Sequence, residues 1–68
     1  MITVGTVVKL LFPCLGNEAG TYGVGFNDYD DGCQVIFKNG NYDGFSLDEQ
    51  KNLLLKVGFD YEVARYTF

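Results

Sequence analysis

The chain of 68 residues contains no histidine and no tryptophan, and Ser46 is its only serine. Without histidine the usual general base is missing, and neither a Ser-His-Asp nor a Cys-His relay can be assembled. The two cysteines, Cys14 and Cys33, are too few and too widely spaced for a zinc site or a CxxC redox pair. Five Lys and Arg face nine Asp and Glu, a formal charge of −4. That balance excludes ordinary phosphate-backbone binding, which needs clustered cations, so no direct nucleic-acid partner is expected. The apolar runs, such as 7–8 and 10–12, fall far short of the ~20 residues that span a bilayer. Residues 1–4 lack the basic and apolar regions of a signal peptide. No membrane partner is expected, and the cytoplasm is the expected compartment.

What is present suits a small folded domain. The composition is 47% hydrophobic and 16% aromatic with a single proline, which argues against disorder. No internal repeat, linker or low-complexity stretch interrupts it, so residues 1–68 read as a single domain. At this length a single core is only marginally stable.

Hydrophobic periodicity predicts a mainly β chain. Residues 4–12 alternate, with Val4, Thr6, Val8, Leu10 and Phe12 on one face, until Pro13 removes a ladder donor. A long loop then leads to a strand over 22–29, where Gly23 and Gly25 share one face. Two glycines on one side predict curvature or close approach of another backbone. Asp30-Asp31-Gly32 is a turn signal, and 33–38 forms the next strand, with Cys33, Val35 and Phe37 on its core side. A Cys14–Cys33 disulfide is disfavoured in a reducing compartment, and Cys33 reads as a small core residue. Asn39-Gly40 predicts a type I′ hairpin into a short strand over 41–45, with Gly44 at a bulge or bend.

At Ser46 the period changes. Ser46-Leu47-Asp48-Glu49 is a capping box. Leu47, Leu53, Leu54 and Val57 then share one helical face up to Gly58, which suits a C′ position. These signals predict a helix over 47–57, with Leu55 off the stripe. The last segment, 61–68, is rich in Tyr, Val, Thr and Phe and predicts a final strand with apolar groups on both faces.

Strand, long loop, strand, tight turn, strand, hairpin, strand, helix, strand is an order that resembles the SH3-like barrel superfamily over nearly the whole chain. The resemblance implies a small barrel of about five strands with one short helix before the last strand. The loop after Pro13 would be its RT-type loop and Asn39-Gly40 its distal hairpin. An OB-like barrel is the rival, although 68 residues leave little room for its usual excursions. Peptide-binding SH3 domains hold PxxP ligands with a tryptophan that this chain lacks, and Asn27-Asp28-Tyr29-Asp30 departs from their ALYDY motif. Gly20-Thr21-Tyr22-Gly23-Val24 is similar to the Gly-x-x-Gly turn of KOW-type domains, without their basic residues. The same string, with 31–37 and 41–46, also resembles small bacterial domains of unassigned function.

Catalytic and metal motifs fail on inspection. An EF-hand register with Gly32 at position six puts Lys38 where a bidentate Glu is required. In a Gly-rich phosphate loop beginning at Gly23, Asp28 occupies the third glycine position. Asp43, Asp60 and Glu62 are carboxylates without a spacing that pairs them. A site shared between chains would need no motif within one chain. The expectation is a non-enzymatic chain with no metal and no cofactor.

The binding candidates are aromatic. SH3-like barrels of the Tudor kind recognise cations with aromatic cages beside carboxylates, which implies a site at Tyr29, Tyr42, Asp28 and Asp43. The competing role for these tyrosines is core filling with one wet end. The final strand, with Tyr66 and Phe68 and assisted by Leu55, is a candidate for pairing with a partner's strand or with a second copy. The expected function is an acidic module that binds a protein and can self-associate through its C-terminal strand. The alternative is a small inhibitor or phage-type accessory protein whose acidic surface competes for a nucleic-acid-binding cleft.

Overall fold

The computed structural model describes residues 2–66. Alternation of apolar and polar residues produces β1 (Thr6–Leu10), β2 (Tyr22–Tyr29), β3 (Gly32–Phe37) and β4 (Tyr42–Ser46). They are followed by α1 (Leu47–Leu53), β5 (Leu54–Phe59) and α2 (Tyr61–Tyr66). The strands form one antiparallel sheet in the order β4-β3-β2-β1-β5, with β4 and β5 at its open edges. The expected mainly β class, five strands and a short helix before the last strand are all present.

One face of the sheet holds the core. Val8 and Leu10 of β1, Cys33, Val35 and Phe37 of β3, and Phe45 of β4 are buried with Ile2 and Leu54. The rings of Phe37 and Phe45 meet edge to face at 6.0 Å. Cys33 is fully buried, and both cysteines are free thiols. Gly25 is where another backbone comes close: a Cβ there would lie 2.5 Å from the Thr3 carbonyl oxygen.

Five local expectations are corrected. The helix ends at Leu53 rather than at 57. Residues 54–59 instead pair with β1, and Leu11 donates its N–H to the Leu53 carbonyl at 2.8 Å. Gly58 is therefore a strand residue opposite Val7, not a helix terminator. Residues 61–66 are helical, not extended, because Asp60 caps them. Its carboxylate accepts the N–H groups of Glu62 at 3.0 Å and Val63 at 3.2 Å. Pairing of a C-terminal strand with a second copy is thereby lost, and the edge strand near this end is β5. Gly44 sits in regular register with Gln34, while the irregularities fall between Gly25 and Asn27 and between Val7 and Val8.

The last correction concerns the β3–β4 hairpin. Only Gly40 has positive φ (87°), and Phe37 accepts the Gly40 N–H while donating to Asn41. This is a three-residue loop with a glycine bulge rather than a type I′ turn. The type I′-like pair is Leu15-Gly16, with φ of 53° and 77°, closed by two hydrogen bonds between Cys14 and Asn17. The Leu15 carbonyl accepts the side-chain amides of Asn41 at 2.8 Å and Asn39 at 3.1 Å, so the long loop is fastened to the hairpin.

Candidate functional site

Strand register assembles a row of side chains across the face of the sheet opposite the core. Tyr42 pairs with Ile36, Ile36 with Val24, Val24 with Val7, and Val7 with Gly58. Residues two apart along a strand share a face, so the next rung on this side carries Lys9 between Tyr22 and Leu55. Val7, Val24 and Ile36 are half-buried, whereas Tyr42 is 60%, Tyr22 57% and Leu55 50% exposed. Phe26 meets Tyr42 edge to face with ring centroids 5.6 Å apart. The Lys9 ammonium lies 5.7 Å from the centre of the Tyr22 ring, a cation–π distance. A shallow recess of about 350 Å³ is lined here by Val7, Tyr22, Val24, Ile36, Lys38 and Asp60.

Charge is unevenly spread along the strand direction, although the exposed Glu18, in the loop held to Leu10, stands at the end that carries Lys9. Asp28 lies at the end of β2, Asp30 and Asp31 form the turn after it, and Gly32 pairs with Ser46, the N-cap of α1. The first turn of α1 adds Asp48 and Glu49, so five carboxylates gather at one end of the sheet. Lys9, Lys38 and Lys56 lie toward the other end, at or beyond the rung that joins Val8 to Gly23 and Lys56. Lys51 follows in the last turn of α1.

The residues expected to form a cage are not brought together. Tyr29 pairs with Gly32 and Tyr42 with Ile36, four rungs apart on one face, or about 13 Å at the rise of a strand. The Tyr29 hydroxyl accepts the Asn27 side-chain amide at 3.3 Å. Asp28 and Asp43 lie on the alternate rungs, opposite the core residues Cys33 and Val35, so pleating turns them away from those rings. Leu55 belongs to the exposed row by way of β5, not as an off-stripe helix residue. Tyr66 closes α2, and its side chain and Phe68 lie outside the described residues. Asp60 is spent as a helix cap, and Glu62 forms a 3.2 Å ion pair with Arg65.

The outer row lies outside the residues that the sequence singles out at loop ends. Its signal was present: Val7 beside Val8, and Ile36 between Val35 and Phe37, make both faces of β1 and β3 apolar. The core face accounts for only one of each pair.

A second recess, of about 340 Å³, lies between α1 and β5 and is lined by Ile2, Leu47, Leu54, Leu55 and the buried Gln50. Gln50 has both amide atoms hydrogen-bonded, to Ile2 and to Phe45, so this recess offers little free polarity. Among the described residues no helix is long and apolar enough to cross a membrane. No family model, no curated protein and no solved structure matches the chain.

Proposed function

We propose that the chain is a non-enzymatic binding module of SH3-like arrangement that takes a protein partner on the outer face of its sheet. The arrangement is supported by element order: four strands, a short helix, and a fifth strand that returns to pair with the first. The binding role rests on one observation, the row of Tyr42, Ile36, Val24 and Val7 flanked by Tyr22, Phe26 and Leu55. Contiguous exposed apolar surface of this kind on a small acidic domain is a recognition surface more often than an accident. The two free thiols fit action in the reducing cytoplasm.

The test compares proteins captured from lysate of the source cells by the wild-type chain and by Tyr42→Asp and Tyr22→Asp. Both side chains are more than half exposed, and circular dichroism of each variant checks that it is folded. Species retained by the wild type at low and high salt and lost with either variant support the reading. Identical captures by all three chains refute it.

A second reading is favoured by the gathering of Asp28, Asp30, Asp31, Asp48 and Glu49 at one end. On this reading that end competes with nucleic acid for a basic cleft. Its capture would be abolished by high salt and by Asp30→Asn with Asp31→Asn, but not by Tyr42→Asp.

A further inference from the structure

The geometry points to a second binding surface, the open edge of β5 beside α1, which takes an extended acidic segment of a protein partner as an added strand. This surface meets the Tyr42 row only at Leu55 and does not depend on the role proposed for that row. The recess of about 340 Å³ between α1 and β5 shows where the segment lies. Leu54 and Lys56 stand opposite Leu10 and Val8 on the core side of the sheet, and Leu55 stands opposite Lys9 on the outer side. All three nonetheless line the recess, so it follows the edge of the strand rather than either face. The facing wall is one stripe of α1, Leu47, Gln50 and Lys51, at helical spacing. Among the described residues β1 is the only strand that pairs with β5, which leaves this side of the ladder open. An edge strand bordered by a hollow suits strand addition, in which the ladder supplies affinity and the hollow takes a side chain.

Charge selects the occupant. The chain carries −4 overall, yet the charged residues that line this recess are Lys51 and Lys56, and no carboxylate among the described residues joins them. The carboxylates of α1 lie in its first turn, and that of Glu49 folds back to accept the Ser46 N–H at 2.9 Å. The floor is apolar, with Ile2 and Leu54 buried and Leu47 exposed at the rim. Gln50 keeps both amide atoms on Ile2 and Phe45, so the floor has no spare group for a polar ligand. The recess therefore selects an apolar side chain with carboxylates beside it. Lysine on an edge strand also discourages indiscriminate pairing. A basic strand would set cation against cation, whereas a carboxylate across the ladder from Lys56 is attracted.

Two synthetic peptides with blocked ends test the proposal: Val-Glu-Val-Phe-Glu-Val-Glu, and the same sequence with every Glu replaced by Lys. Amide chemical-shift mapping follows each peptide up to about 2 mM, which reaches millimolar affinity. The acidic peptide is expected to move the amides of 47–51 and 54–57, and the lysine peptide to move none. Raising NaCl weakens the binding, because both lysines are exposed. The double variant Lys51→Glu with Lys56→Glu, checked for folding by circular dichroism, weakens it about tenfold and admits the lysine peptide instead. A version of the acidic peptide with alternate residues of D configuration keeps the charge but not the strand geometry, and it moves nothing. Absence of any shift with the acidic peptide overturns the proposal. Equal binding of the lysine or D-containing peptide, or indifference to the double variant, also overturns it. Shifts of β5 that grow with protein concentration alone assign the edge to a second copy and overturn it too. Tyr42→Asp leaves the peptide bound, so failure of this site and failure of the outer face are read separately.

Discussion

The side-chain oxygen of Gln50 accepts the backbone N–H of Ile2 at 2.9 Å, across 48 residues of sequence. The same amide donates to the Phe45 carbonyl at 3.0 Å, and the residue is 5% exposed. One side chain thus ties the N-terminal segment, β4 and α1 together. Gln50→Leu keeps the volume but leaves a buried donor and a buried acceptor unpaired. It is expected to cost about 2–4 kcal/mol in urea unfolding. Gln50→Glu can still accept from Ile2 but, when ionised, cannot donate to Phe45. Burial holds that carboxyl's pKa above its unfolded value, so the variant's stability relative to wild type falls as pH rises from 4 to 7. An equal deficit at both pH values would remove the donor role.

Two glycines are expected to respond in opposite ways to an added methyl group, and the second separates the observed β5 from a longer helix. A Cβ at Gly25 would sit 2.5 Å from the Thr3 carbonyl oxygen and 3.0 Å from the Cys33 sulfur, so Gly25→Ala must displace backbone. A loss of about 3 kcal/mol is expected, the upper end for overpacking. At Gly58 no atom lies within 4 Å of the added carbon and φ is not positive. Gly58→Ala is expected to be neutral or to stabilise by about 0.5 kcal/mol. If Gly58 were a left-handed helix terminator, the same change would cost about 1 kcal/mol, and thermal melts separate the two outcomes.

The sequence carries the strands whose alternation is unambiguous and the α1 start, where the Ser46–Glu49 box forms as its spacing implies. It does not carry the end of α1. Leu53, Leu54 and Val57 suit a helical stripe, yet Leu55, Val57 and Phe59 also alternate along a strand. The choice falls to β1, whose second edge needs a partner for its backbone groups, and that need is non-local. Residues 61–66 show the opposite failure. Tyr and Val suggested a strand, while Asp60 as cap, Glu62 in the first turn and Arg65 in the last argued locally for a helix. Strand propensity depends on context and gave way to capping. The exposed row was legible in principle from Val7 and Ile36, but only the register shows that they are neighbours.

The two helix caps give a further prediction. Ser46→Ala removes the acceptor of the Glu49 N–H and is expected to cost about 1 kcal/mol. Asp60→Ala frees the Glu62 and Val63 amides, and the loss falls on α2 rather than on the whole molecule. Hydrogen exchange at those two amides should accelerate while the amides of β2 and β3 stay protected. Asp60→Asn retains an accepting oxygen and should restore most of the protection. Equal acceleration throughout the sheet would mean that α2 is integral to the core.

Cys33 makes stability depend on alkaline pH. Burial, reinforced by the Asp28 carboxylate across the β2–β3 rung, pushes its thiol up from 9.0 to about 12. Above pH 9 the unfolded chain loses this proton and the folded chain keeps it, so the unfolded state binds fewer protons and stability falls with rising pH. The decline runs from about pH 9 toward the folded pKa near 12 and is absent below pH 8. Tyrosines and lysines titrate in the same range, so the measurement is a difference: urea unfolding of wild type against Cys33→Ala between pH 7 and pH 10.5. The variant is less stable at pH 7, because it opens a cavity in a filled core, and the gap should narrow as pH rises. Thiol labelling gives the matching kinetic result, with the half-buried Cys14 modified in the native protein and Cys33 only at the rate of unfolding. A constant gap across that range, or native-state labelling of both cysteines at similar rates, would show that the Cys33 thiol is open to solvent and ionises freely.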